Sequence, residues 1–91
     1  MLTSQQVAAV DFPVVRWREG YEIDDVRALL DRIRAALEGY EGRGTISDLT
    51  ARDVERTRFQ ATKFRAGWDR DVVDAFLDEA IATLTAYEQV G

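Results

Sequence analysis

Apolar residues recur at Val26, Leu30, Ile33, Leu37 and Tyr40, in steps of four, three, four and three. That is heptad spacing, and it predicts a helix with one apolar seam, which Leu29 widens. Forty-seven residues on, the pattern returns as Val73, Leu77, Ala80, Leu84 and Tyr87, widened by Phe76 and Ile81. Such a seam does not stay in water, because each large side chain gains roughly 1.5–3 kcal/mol on full burial. Two matched seams in one chain most simply bury each other.

The whole segment is duplicated, not the seam alone. Leu2 to Glu41 aligns without a gap onto Leu49 to Glu88, with fifteen of the forty positions identical. A fixed offset with repeated caps, glycines and apolar positions marks a duplicated structural unit. Each copy predicts a short helix, an extended segment and a long helix. Thr3 and Thr50 are N-caps of the short helices, with Gln6 and Asp53 three residues on. Leu2 with Val7, and Leu49 with Val54, stand at the positions of a hydrophobic staple.

The segments Phe12–Gly20 and Phe59–Gly67 follow. Pro13 discourages helix, and the β-branched and aromatic residues favour an extended path. Gly20 and Gly67 are expected to supply a turn conformation that a side chain would resist. Glu22 and Asp69 are candidate caps of the long helices, with Asp24 and Asp71 in their first turns. The copies span 1–41 and 49–91, joined by a glycine-rich linker at 42–48. Nine residues from Tyr40 to Leu49 reach at most about 30 Å, slightly more than the first long helix at standard rise. The second copy can therefore fold back and lay its helix parallel to the first. The fold expected is all-α: two units related by a pseudo-two-fold axis, sharing one core, with long helices packed like a coiled coil.

Composition narrows the function. Twelve basic residues against seventeen acidic give a net charge of −5, which argues against a general nucleic-acid binder. With neither His nor Cys, the commonest bases and nucleophiles are absent, and no phosphate-binding loop appears. The chain reads as non-catalytic and without cofactor. The acidic groups Glu22/Asp24/Asp25 and Asp69/Asp71 lie at helix starts, where capping explains them, so no metal site is assigned. No run is long and apolar enough to span a membrane, and no signal peptide is evident, so a cytoplasmic location is expected.

The ordered set Leu-Thr-x3-Val-x4-Phe, aromatic-Arg-x-Gly-aromatic, an acidic turn, Val, then Leu-Leu-Asp or Phe-Leu-Asp, resembles the N-terminal domain of DivIVA-type bacterial cell-division and polar-growth proteins. Gly67-Trp-Asp-Arg-Asp-Val-Val-Asp-Ala-Phe-Leu-Asp78 carries the strongest likeness, and Gly20-Tyr-Glu-Ile-Asp-Asp-Val-Arg-Ala-Leu-Leu-Asp31 the second. The resemblance implies a parallel helical pair whose pre-helix loop offers an aromatic residue and an Arg to the membrane surface. Here those residues are Trp17-Arg18 and Phe64-Arg65. One residue, Glu19 or Ala66, separates Arg from Gly, which some members of the family lack. Only four residues follow Tyr87, so assembly through a trailing coil is not expected. The duplication would supply within one chain the two domains that the family obtains by dimerising.

The resulting expectation is a scaffold or adaptor in division or polar growth. Its partner would be a full-length DivIVA-type protein or a second copy of itself, with no nucleic acid involved. The alternative is a weak binder of anionic membrane at the inner face of the cell membrane, at septum or pole, acting through Trp17, Arg18, Phe64 and Arg65. Large aromatics are mostly buried, so the sequence favours Trp17 and Phe64 tucked beneath their loops as core. Tyr40 and Tyr87 are expected to close the seam or to sit at an interface.

Overall fold

The extended segments pair into a sheet, which overturns the all-helical expectation. The computed structural model describes residues 1–44 and 47–90, so the linker at 42–48 falls partly outside the described residues. The chain runs α1 (Ser4–Ala9), β1 (Val14–Val15), β2 (Gly20–Tyr21), α2 (Ile23–Tyr40), α3 (Ala51–Arg56), β3 (Ala61–Thr62), β4 (Gly67–Asp69) and α4 (Arg70–Val90). The four strands form one antiparallel sheet in the order β1-β4-β2-β3.

That order is interdigitated. The two strands of a copy do not pair with each other; each pairs with strands of the other copy. Val14 and Val15 lie opposite Trp68 and Gly67, while Ala61 and Thr62 lie opposite Tyr21 and Gly20. Adding or subtracting 47 converts either pairing into the other. The central pair sets Tyr21 against Trp68, which are themselves matched residues. The sheet thus maps onto itself when the copies exchange. At the strand ends, the Glu22 amide donates to the Gln60 carbonyl and the Asp69 amide to the Pro13 carbonyl, each at 2.9 Å.

Gly20 and Gly67 are required here for space, not for a turn. Both lie within strands, and neither has a positive φ. A Cβ on Gly20 would lie 2.8 Å from the Trp68 carbonyl oxygen and 2.9 Å from Val15 Cγ2. The Thr62 side chain occupies the place where one on Gly67 would begin. Thr62 stands where the first copy has Val15, and its buried hydroxyl has no hydrogen-bond partner among the described residues.

The central strands lead directly into the two long helices. At the far end, the matched rings of Tyr40 and Tyr87 stack 4.6 Å apart with planes 2° from parallel. The helices therefore run parallel and in register from the sheet outward, in a body of 44 × 21 × 19 Å. Val26, Leu30, Ile33, Leu37, Val73, Leu77, Ala80 and Leu84 are all buried, while Tyr40 stays exposed and Tyr87 is half-buried. The packing is not that of a coiled coil. The main helical neighbour of α2 is α1 and that of α4 is α3, and the long helices meet along a narrower line. The reason is local: both short helices bury apolar residues, Leu2 and Val7 with α1 and Leu49, Ala51 and Val54 with α3, in the same core.

Both short helices carry complete capping boxes. The Gln6 and Asp53 amides donate to the Thr3 and Thr50 hydroxyls, and the Thr3 and Thr50 amides donate back to the Gln6 and Asp53 side chains. A carboxylate from the end of the long helix holds each short helix at its start. The Ser4 amide and hydroxyl donate to Glu41 at 2.8 and 2.6 Å, and the Ala51 amide donates to Glu88 at 2.8 Å. This explains why Glu41 and Glu88 are identical in the two copies.

The Ser4 hydroxyl, followed by its amide, holds the Glu41 carboxyl below its ordinary value of 4.5. A folded value below the unfolded one means that the contact stabilises fully above about pH 4.5 and is lost as pH falls through the folded value. Thermal melts should show wild type above Glu41→Gln at neutral pH, with the gap shrinking as pH drops below about 4.5. An unchanged gap would mean that Glu41 does not act through its charge. Thr62→Val, which copies the first repeat, should raise stability by roughly 1 kcal/mol in urea melts, because it removes an unpaired buried hydroxyl. A loss of stability would show that the hydroxyl has a partner.

Candidate loop-tip site

Because β4 lies between β1 and β2, the loop 16–19 must cross a strand of the other copy. By the same symmetry the loop 63–66 crosses β2. Each loop is fastened by its arginine to the strand end that it crosses. Arg18 donates to Asp69 at 2.7 Å, and Arg65 donates to Glu22 at 2.7 Å. Arg70 adds a contact to Glu19 at 2.9 Å. Asp69 also accepts the Asp71 amide at 3.0 Å and so caps α4, whereas the Glu22 side chain makes no cap hydrogen bond. The Arg18 bond, with help from the amides of Asp71 and Val72, holds the Asp69 carboxyl below its ordinary value.

Trp17 and Phe64 stand at the crests. Trp17 is 83 % exposed and Phe64 71 % exposed. The expectation that they tuck beneath their loops as core is not met. The core aromatics of this end are others: Phe12 against Trp68 at 5.0 Å and Phe59 against Tyr21 at 4.9 Å, matched pairs that both join the copies. With those places filled, the loops have no interior left for Trp17 or Phe64. Phe64 also has φ 62, in the left-handed region that a side chain resists. A large apolar side chain that is exposed and conformationally strained is no use to the fold, and such outliers gather at functional sites.

The arginines take a different part from the one that the sequence assigned. Arg18 and Arg65 are occupied with carboxylates and act as loop anchors. The cations left for an external anion are Arg16 and Lys63, both exposed and without a salt bridge among the described residues. Lys63 Nζ lies 5.6 Å from the centre of the Phe64 ring. The sequence held the signal for these two, since positions 16 and 63 are matched and both basic. Each tip therefore presents an exposed aromatic, one unpaired cation before it and one anchored cation after it.

This division of roles separates the tips from the fold. In urea melts Trp17→Ala should change stability by less than about 0.5 kcal/mol, as is usual for surface positions. Phe64→Gly should raise it by roughly 1 kcal/mol, by removing the left-handed penalty. Losses of about 2 kcal/mol or more would make the tip aromatics structural after all.

No family model, no curated protein and no solved structure matches this chain.

Proposed function

We propose that this chain is a non-catalytic docking module that settles on an anionic membrane surface by its two loop tips. The observation that carries the reading is the exposure of Trp17 and Phe64, the second in a strained backbone, at symmetry-matched places on one small body. An indole or phenyl ring with a neighbouring cation suits the headgroup level, where the ring meets the acyl boundary and the cation meets phosphate. Arg16 and Lys63 would each contribute about 1 kcal/mol near such a surface. One tip alone would bind weakly, and two on a rigid frame act together.

The acidic net charge opposes docking less than its size suggests. Glu19, Glu22 and Asp69, beside the tips, are each paired with an arginine. No helix among the described residues is long and apolar enough to cross a membrane, so attachment would be peripheral. The resemblance to DivIVA-type domains supports the same reading. It would put the module at the inner face of the cell membrane, at septum or pole, as an adaptor in division or polar growth.

Co-sedimentation with vesicles tests this directly. Wild type should sediment with phosphatidylglycerol-containing vesicles at low salt, less so at high salt, and hardly at all with pure phosphatidylcholine. Trp17→Ala/Phe64→Ala and Arg16→Ala/Lys63→Ala should each lose most of the binding while keeping the wild-type melting curve. Wild type that stays in the supernatant at low salt would overturn the proposal and leave the tips to a protein partner.

A further inference from the structure

We infer that the two copies have become a directional pair: the interface between them accepts copy 1 against copy 2 and rejects like against like. The sheet and core obey two-fold symmetry, yet the contacts around them do not, and the departures are matched across the boundary. Tyr21 donates its hydroxyl to Asp74 at 2.7 Å. At the symmetric place Trp68 replaces the tyrosine and Arg27 replaces the aspartate, with the guanidinium 5.3 Å from the indole centre. Each aromatic meets the group that suits it, a hydroxyl with a carboxylate and an indole face with a cation.

Three further contacts follow the same rule. Arg70 pairs with Glu19 at 2.9 Å, while the matched positions hold Ile23 and Ala66. The Gln60 amide donates to Asp25 at 3.0 Å, while the matched positions hold Pro13, which has no N–H, and Val72, which has no acceptor. The Leu2 amide donates to Thr83 at 3.0 Å, while the matched positions hold Leu49 and Ala36, which has no acceptor side chain, and the Leu49 amide takes the Ser47 hydroxyl at 3.3 Å instead.

Like-with-like pairing would break these matches. Two copy-1 faces would set Glu19 against Ile23 and leave Asp25 facing a proline. Two copy-2 faces would set Asp74 against the Trp68 ring, leave Arg70 facing Ala66, and leave the Gln60 amide facing Val72. Unpaired polar groups and a misplaced charge along a boundary are the usual means of excluding a wrong partner. The face that each copy turns to the other is therefore specific in this chain to the opposite copy type. This inference does not depend on membrane docking.

Exchange of faces within the full chain tests it. Variant A carries Glu19→Ala, Tyr21→Trp, Ile23→Arg, Arg27→Asp and Leu29→Phe, which makes both faces copy-2-like. Variant B carries Ala66→Glu, Trp68→Tyr, Arg70→Ile, Asp74→Arg and Phe76→Leu, which makes both copy-1-like. Variant C carries all ten changes, so that the Tyr–Asp, Trp–Arg and Glu–Arg pairs re-form with their roles exchanged, while the Gln60–Asp25 and Leu2–Thr83 contacts stay as in wild type. A and B should each melt at least about 10 °C below wild type or fail to fold, and C should recover most of that loss. The inference is overturned if A and B melt with wild type, or if C is as damaged as the sum of A and B.

Discussion

The pairing of Tyr21 with Trp68 in the centre of the sheet is the constraint on which the rest depends. It places β2 and β4 side by side, although they lie 47 residues apart in the chain. With them adjacent, β1 and β3 take the outside places, each beside a strand of the other copy. Neither copy then has a sheet of its own. A forty-residue unit without disulfides is at the limit of independent folding, and interdigitation lets two such units share one core. The parallel helices follow, because both leave the same strand pair in the same sense. Their seams are then closed by the short helices, which Glu41 and Glu88 hold at the far end.

The same topology makes the tips. A loop that must cross a strand of the other copy has no room to fold inward, and its arginine ties it to that strand's end. The aromatic beside the arginine is left outside, while Phe12, Phe59, Tyr21 and Trp68 fill the interior. The exposure of Trp17 and Phe64 is thus a consequence of the strand order, and the proposed docking face is fixed to the most constrained part of the molecule. This fits a surface-binding role, since two weak tips add usefully only when their spacing is held.

Much of each unit was legible in the sequence. The capping boxes at Thr3 and Thr50, the helix seams and the extended character of the segments after Phe12 and Phe59 are local signals, and the duplication gave each of them twice. The sheet was not legible, because its ladders join residues 40 to 54 apart and strands of two or three residues leave no alternation to read. The coiled-coil expectation failed for a related reason. A heptad seam states that a helix face is buried but not by what, and α1 and α3 were available to bury it. Gly20 and Gly67 drew attention as turn formers, whereas the need for them comes from a neighbouring strand that the sequence does not show. Residue type alone favours burial of Trp17 and Phe64, and the competition from Phe12 and Phe59 for the same interior is not visible in it. Arg18 reads as free for phosphate because its partner Asp69 lies 51 residues away.

Native-state hydrogen exchange tests the interlocking most directly. The amides of Glu22 and Asp69 donate across the copy boundary, to Gln60 and Pro13, while those of Ile33 and Ala80 lie in the middle of the two long helices. If the copies form one cooperative unit, all four amides should open with the same free energy, equal to that of global unfolding, and with the same denaturant dependence. Exchange of Ile33 and Ala80 with different opening energies, or of Glu22 and Asp69 while both helices remain protected, would show that the copies open separately and that the crossed strands do not hold the fold together.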